Sequence, residues 1–137
     1  VIEHLPDAAV HLAEIARVLT PGGVCYLATP NRAWPLEVHH RVWCLHWLPR
    51  RRFEIALRRA GRFKEALWLL TWPTLRRQVP PMLTLETWHH RIARHPQRYQ
   101  LHVPAALRWL LAATPLPVHR LLTPVTPTFV VVLRRQD

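Results

Sequence analysis

The hydrophobic pattern at the start of the chain predicts a helix followed by a strand. Apolar residues recur at spacings of four, three and four positions, which places them on one helix face. These residues are Ala8, Leu12, Ile15 and Leu19. Asp7 precedes them and suits an N-cap, where a carboxylate accepts from free backbone amides. Thr-Pro-Gly-Gly at 20–23 favours the end of the helix, because proline cannot continue it and glycine tolerates positive φ.

The apolar run Val24–Thr29 has the length of a strand and no alternation, which predicts a strand buried on both faces. Polar residues stand where two strands are expected to end: Glu3 with His4, and Pro30 with Asn31. Open α/β sheets bind their ligands just beyond the carboxyl ends of strands. We therefore expect these two polar strand ends to border a ligand site.

Beyond residue 31, short helices divided by proline turns are predicted, because the chain holds 14 prolines and only 3 glycines. Helical spacing predicts a basic helix over 51–70, another over 84–93 and a short apolar one over 105–113. Alternation predicts a half-exposed strand over 98–103, and Thr-Phe-Val-Val-Val-Leu at 128–133 is the clearest strand signal of the chain.

The chain is long enough for one domain, and its formal net charge is +11. Tryptophan and arginine interleave between residues 34 and 77. The tryptophans concerned include Trp43, Trp47, Trp68 and Trp72. They could lie at a membrane interface or stack on single-stranded nucleic acid. They could equally pack inside a helical lid whose arginine face is solvated.

The two cysteines, Cys25 and Cys44, show no Cys-x-x-Cys spacing, which argues against a disulfide framework and favours a reducing cytoplasm. No uncharged apolar run reaches about 18 residues, so no membrane-spanning helix is predicted. We expect a cytoplasmic protein, with association at a membrane surface left open.

Several segments, in order, resemble the second half of class I S-adenosylmethionine-dependent methyltransferases, in particular the small-molecule enzymes called type 11. Val-Ile-Glu-His-Leu-Pro-Asp at 1–7 is similar to the motif after their fourth strand, and residues 14–23 to the helix and turn before their fifth. Pro35-Leu36-Glu37 with His39, and 47–50, are similar to a subset of bacterial members.

The resemblance implies an α/β fold, a partial Rossmann-like sheet with a helical lid. It implies a single incomplete methyltransferase domain over 1–137, with a strand–helix–strand core at 1–31, a Trp- and Arg-rich helical insertion at 32–97 and closing elements at 98–137. The family's sheet ends with an antiparallel strand, a role that 128–133 fits. The glycine-rich cofactor loop would precede residue 1, since the chain's glycines are only Gly22, Gly23 and Gly61.

The resemblance also implies roles for four residues. His4 would be the catalytic residue that accepts a proton from a hydroxyl nucleophile, and Glu3 with His4 would border the cofactor. Asn31 and His39 would bind the substrate. The alternatives are a purely architectural Glu3–His4 pair, a turn in which Asn31 bonds its own backbone, and a surface histidine without a role at position 39.

No metal ligand is assigned. Some quinone O-methyltransferases of this kind bind a divalent metal through Glu-x-x-Glu-His, and Glu3 with His4 matches only its last two positions. Two further groups lack the paired spacing of a zinc module. They are His39, His40, Cys44 and His46, and then His89, His90 and His95.

The predicted function is that of part of an S-adenosylmethionine-dependent methyltransferase that methylates a small or lipid-like acceptor at oxygen. The isolated chain is expected neither to bind the cofactor tightly nor to turn over. The alternative is a basic binding module for a membrane surface or nucleic acid, of which nucleic acid is the less favoured partner.

Overall fold

The structure, a computed structural model, describes residues 1–99 and 104–137. A short 3₁₀ turn, Ile2–His4, leads into helix α1, Ala8–Val18. The carboxylate of Asp7 accepts from the backbone amides of Ala9 and Val10, at 3.0 and 3.3 Å. The predicted helix and its N-cap are therefore confirmed, because the cap satisfies two of the amides that the first turn leaves free.

The remaining elements are mostly short. In chain order they are β1 (Val24–Pro30), β2 (Leu36–Glu37), β3 (Val42–Trp43), α2 (Arg50–Arg59), α3 (Trp72–Gln78), β4 (Leu83–Thr87), α4 (His89–Arg94), α5 (Ala105–Ala113), α6 (Leu116–Leu122) and β5 (Thr128–Arg135). The predictions of a strand at 24–29, a helix at 105–113 and a closing strand at 128–133 are confirmed.

Three strands form the main sheet in the order β1-β5-β4. Strand β5 is antiparallel to both neighbours, so β1 and β4 run in the same direction. Val24 pairs with Arg134 at one end of β1, and Pro30 pairs with Thr128 at the other. The closing strand thus has the antiparallel orientation that was expected, and it lies in the centre of this sheet. Strands β2 and β3 form a separate hairpin.

One face of this sheet carries the main core. The apolar stripe of α1 packs on it together with α3 and the segment before α3. Its fully buried members include Leu12, Leu75, Phe129, Val131 and Leu133. A smaller cluster joins β3 to α2 through Val42, Phe53 and Leu57. The β2–β3 hairpin and α2 therefore have a core of their own beside the sheet.

Strand β1 is not buried on both faces, so that expectation was wrong. Leu27 and Thr29 are buried against the core, whereas Val24 and Tyr26 on the alternate positions are more than half exposed. The cause lies in the pairing, because β1 is an edge strand that bonds only to β5 among the described strands. The lack of alternation in this run predicted burial on both faces, whereas only one face of the strand packs on the core.

The basic helix predicted over 51–70 ends far earlier, at Arg59. Gly61 adopts φ +64°, and its amide donates to the carbonyl of Arg58. The amide of Arg62 donates to the carbonyl of Leu57, at 2.9 Å. These two bonds are those of a Schellman termination, in which a glycine in the left-handed region closes the helix. The glycine therefore stops this helix rather than merely weakening it.

The helix predicted over 84–93 is also wrong in its first half. Residues 83–87 form β4, where the alternation Leu-Thr-Leu-Glu-Thr faces Leu83 to the core, and helix α4 begins only at His89. Because β4 lies within 32–97, that segment is not wholly helical. Of the strand expected over 98–103, Arg98 and Tyr99 lie in a turn, and the rest falls outside the described residues.

The chain is thus mixed α/β around a small antiparallel sheet. None of the helices within 1–99 and 104–137 has both the length and the apolar character needed to cross a bilayer. The domain boundaries stay a prediction.

Candidate active site

Glu3 lies at the centre of the polar cluster that the 3₁₀ turn places beside the end of β1. Its side chain is buried, and its Oε2 accepts from the hydroxyl of Thr29 at 3.3 Å. Thr29 is itself fully buried near the end of β1. Glu3 and His4 do not stand at a strand end as expected, because Ile2–His4 forms a 3₁₀ turn, and the contact between Glu3 and Thr29 joins this turn to the end of β1.

His4 is partly exposed and stands between two carboxylates. Its Nε2 lies 3.6 Å from Oε1 of Glu3, and its Nδ1 lies 3.1 Å from Oε2 of Glu65. The segment that carries Glu65 is held nearby because the amide of Trp68 donates to the carbonyl of Glu3, at 2.7 Å. The carboxylate of Glu65 favours the ring proton on Nδ1, which leaves the lone pair of Nε2 facing Glu3.

His39 approaches the same carboxylate from the β2–β3 hairpin. Its Nε2 lies 3.8 Å from Oε1 of Glu3, and its ring meets that of His4 edge to face, with centroids 5.3 Å apart. Its Nδ1 lies 2.9 Å from Oε1 of Glu37, which also accepts from its backbone amide at 2.8 Å. A carboxylate can only accept, so Nδ1 of His39 carries the proton and Nε2 holds the lone pair.

Glu37 orients a second histidine as well. Its Oε2 accepts from the amide of His40 at 2.7 Å and lies 2.9 Å from that ring's Nδ1. Both side chains are buried, and the His40 ring packs between Phe53 and Phe63. Glu37 therefore fixes the turn at 37–40 through four contacts, and this turn presents His39 to Glu3.

The Glu37 carboxyl is held in the ionised form. Burial acts to raise the pKa of Glu37, but hydrogen bonds from the amides and rings of His40 and His39 outweigh it and hold the pKa below its ordinary value. The turn at 37–40 thus pairs an anionic carboxylate with two imidazoles.

The convergence of Glu3, His4 and His39 also fits a metal ion. One ligand atom of each lies within 4.8 Å of the other two, the single such group of three among the described residues. Two imidazole nitrogens backed by carboxylates, together with one carboxylate oxygen, form a donor set typical of divalent transition metals. Of the two histidine-containing groups that lack the spacing of a zinc module, the first contributes His39 to this set of three and the second contributes no residue.

Asn31 does not join this cluster through any hydrogen bond among the described residues. It is buried, and its amide group donates to the carbonyls of Pro124 and Thr126, at 2.8 and 2.7 Å. Its Oδ1 accepts from the amide of Ala33. Both amide hydrogens are thus engaged in joining the end of β1 to the loop before β5. Its predicted role in substrate binding stays a prediction.

The carboxylates Glu37 and Glu65 were missed as site residues in the sequence. The spacing Glu37-x-His39-His40 is a local signal that could have identified Glu37, since two histidines lie within reach of one turn. Glu65 lies 61 positions after His4, and its contact depends on how the segment after α2 folds back. No local pattern encodes that contact.

Comparisons with known proteins give short matches to methyltransferases. The chain is 43% identical over 53 residues to a ubiquinone biosynthesis O-methyltransferase of Paramagnetospirillum magneticum. It is 40% identical over the same length to proteins of that name from Bradyrhizobium sp. and Rhodopseudomonas palustris. Each match covers 36% of this chain and 21% of the relative, so the chain matches about a fifth of the length of these curated proteins.

No family model matches the chain, and no solved structure matches it. The methyltransferase matches are therefore the sole findings among these comparisons that bear on its activity. They support a methyltransferase role.

Proposed function

We propose that the chain is part of an S-adenosylmethionine-dependent methyltransferase that methylates a hydroxyl oxygen of a small or lipid-like acceptor. The observation that carries this proposal is the convergence of His4 and His39 on Glu3, with each imidazole backed by a second carboxylate. The name of the matched relatives, O-methyltransferase, supports the same reaction class.

His4 is the proposed catalytic base. A hydroxyl oxygen becomes a good nucleophile only as it loses its proton, and an imidazole suits that transfer near neutral pH. Nε2 of His4 is the nitrogen that does not face Glu65, and the side chain is about a third exposed. The carboxylate of Glu65 on the opposite nitrogen would orient the ring and stabilise the imidazolium that forms.

S-adenosylmethionine supplies an activated methyl group when it is bound. The residues described here could supply only the border of its site, with Glu3 and His4 as the proposed contacts. A Gly-x-Gly-x-Gly loop, on which the resembling enzymes hold the cofactor, does not occur in this sequence. We therefore propose that the isolated chain neither binds the cofactor tightly nor turns over.

A divalent metal is compatible with the same cluster. Glu3, His4 and His39 would hold it, and it would supply Lewis acidity toward a bound hydroxyl group. A chelator should lower turnover if the reaction is metal-assisted and should leave turnover unchanged if the reaction is metal-free.

Contact with a membrane surface is a second proposal, which rests on the exposure of Trp43 and Trp47. Trp68 and Trp72 are used inside the chain, because Trp68 lies under the Arg50 guanidinium and Trp72 packs on Phe129. Co-sedimentation with anionic vesicles would test this proposal. Replacing Trp43 and Trp47 with serine should then reduce the bound fraction several-fold.

The main test is a methyl-transfer assay on the longest protein that carries this segment, with His4→Gln compared with His95→Gln. His95 is exposed and makes no side-chain contact with the cluster. His4→Gln should lower kcat about 10²- to 10⁴-fold and leave the melting temperature unchanged. Equal activity of the two variants would exclude His4 as the base.

A further inference from the structure

Helix α6 and the 3₁₀ turn that continues it, Thr123–Val125, expose a row of apolar side chains, here named the α6 stripe. Its members are spaced by three, one and three positions, which places them on one helix face. They are Val118, Leu121, Leu122 and Val125. Each is between 40% and 78% exposed, whereas His119 and Thr123, on the other side of the helix, are buried.

This arrangement is the reverse of the usual one. A surface helix ordinarily turns its apolar face to the core of the domain. Contiguous apolar surface that faces solvent marks a site of interaction with another molecule. The α6 stripe therefore indicates a contact that the described residues do not provide.

Helix α5, which precedes the stripe, also exposes large apolar side chains. Trp109 and Leu110 are both more than half exposed, and Arg108 is the only charged residue in the sequence of the helix. Two residues separate α5 from α6 in the chain, and both helices contact α4. The apolar surface is thus a property of this region and is not confined to one side chain.

The segment that carries the stripe is basic throughout. Between Glu86 and Asp137 the sequence contains no acidic residue and seven arginines. Arg94, Arg98 and Arg120 are exposed and form no ion pair within the described part of the chain. The stripe is therefore combined with positive charge that no carboxylate compensates.

This charge distinguishes among the molecules that could cover the stripe. A second copy of the chain would bring like charges together, which disfavours self-association. A nucleic acid would offer phosphates to the arginines but no hydrocarbon to leucine and valine side chains. An anionic bilayer offers acyl chains to the stripe and lipid phosphates to the arginines. Trp109 suits the same surface, because tryptophan prefers the boundary between headgroups and acyl chains.

We propose that the α6 stripe docks the protein on an anionic phospholipid surface. Leu121 and its neighbours in the stripe enter the acyl region, and Arg120 lies at the level of the lipid phosphates. The inference goes beyond the contact proposed through Trp43 and Trp47, because it assigns lipid binding to a different segment. It requires neither cofactor nor turnover.

The test is co-sedimentation of the longest protein that carries this segment with two kinds of vesicle. One contains equal parts of phosphatidylcholine and phosphatidylglycerol, and the other contains phosphatidylcholine alone. The anionic vesicles should bind the protein at least about tenfold more tightly, because several arginines gain from the negative surface potential. Arg120→Gln should weaken binding to the anionic vesicles several-fold and leave binding to the neutral ones unchanged.

Leu121→Ser combined with Val125→Ser removes the apolar contact. Partition onto the anionic vesicles should fall about tenfold or more, because two apolar side chains no longer leave water. Val10→Ser combined with Val18→Ser is the matched control, since both valines are 60% exposed on α1. The control should bind like wild type, and thermal unfolding of both variants should be unchanged because the replaced side chains are exposed.

A polarity-sensitive dye reports whether the stripe itself enters the bilayer. Attached to Leu121→Cys in a protein without other cysteines, the dye should shift its emission to the blue when vesicles are added. The same dye on Val10→Cys should not shift. Trp43→Ser combined with Trp47→Ser should leave the shift at position 121 unchanged in the bound protein, so the two membrane contacts fail independently.

Three results would overturn the proposal. One is equal binding of the stripe variant and its α1 control, and another is a dye at position 121 that stays in water on the bound protein. The third is self-association without vesicles that Leu121→Ser with Val125→Ser abolishes, since this would show that a second copy covers the stripe.

Discussion

Two groups of histidines in this chain differ in what their ring nitrogens meet. His4, His39 and His40 each place Nδ1 against a carboxylate, that of Glu65 for the first and that of Glu37 for the other two. A carboxylate stabilises the protonated ring and fixes which nitrogen keeps its proton. The nearby carboxylate therefore fixes the orientation of each ring.

His46 and His89 meet carbonyl oxygens instead. His46 is bonded to the carbonyls of Arg32 and Trp34, and Nε2 of His89 lies 2.8 Å from that of Thr128. Burial lowers the pKa of both, although the carbonyl contacts act in the other direction. Such rings serve as neutral donors that hold loops in place. The comparison separates rings that carboxylates orient, two of which meet at Glu3, from rings that hold loops in place.

Among the substitutions proposed here, Glu37→Gln should have the largest effect on stability, because it removes the anion that fixes two histidines at once. The variant loses the charge from four contacts in a buried turn. We expect the free energy of unfolding to fall by about 3 kcal/mol at neutral pH, because buried hydrogen bonds to a charged group are lost. Urea unfolding monitored by tryptophan fluorescence measures this change.

The destabilisation caused by Glu37→Gln should depend on pH. The pKa of Glu37 is lowered from 4.5 in the folded state, so its contribution is complete above that value and is lost as the pH falls through the folded pKa. The difference between wild type and Glu37→Gln should therefore shrink below pH 4.5. A difference that stays constant down to acid unfolding would show that Glu37 is not held ionised.

Much of the fold follows from local signals. The apolar spacing after Asp7 and the closing run at 128–133 predicted α1 and β5, because capping and burial there depend on neighbours in sequence. The misplaced elements depended on distant partners. Strand β4 forms because Leu83–Thr87 pairs with β5, more than forty positions later in the chain. Helical propensity around residue 85 yields to that pairing.

The site was predictable only in part, for the same reason. Glu3 and His4 were identified from an α/β pattern that placed them at a strand end, although they lie in a 3₁₀ turn. Their supporting carboxylate, Glu65, is brought in by a segment with no regular structure. Asn31 shows the reverse case. Its position at a strand end predicted a role in substrate binding, but its side-chain amide donates to the backbone carbonyls of residues 124 and 126.

His89→Phe should have an intermediate effect on stability and none on methyl transfer. The change leaves the carbonyl of Thr128 without its imidazole donor in a mostly buried position, at a cost of about 1–2 kcal/mol at pH 7.5. The pKa of His89 lies below 6.5 when folded, so its neutral form stabilises the fold fully above that value. That contribution decreases as the pH falls from 6.5 toward the folded pKa.

The destabilisation caused by His89→Phe should therefore be smaller at pH 5 than at pH 7.5, by thermal unfolding. His95→Phe serves as the control, because His95 is exposed and its unfolding should follow wild type at both pH values. A destabilisation that grows on acidification would place His89 in the carboxylate-backed group and would break the comparison.

Glu65→Gln should have the smallest effect on stability, and it separates positioning from folding. The side chain is about half exposed, so the free energy of unfolding should change by less than about 0.5 kcal/mol. Glu65 acts through His4, so its loss should lower kcat about tenfold and leave KM nearly unchanged. Glu65→Asp should restore part of the rate, whereas a kcat equal to that of wild type would leave His4 without a positioning partner.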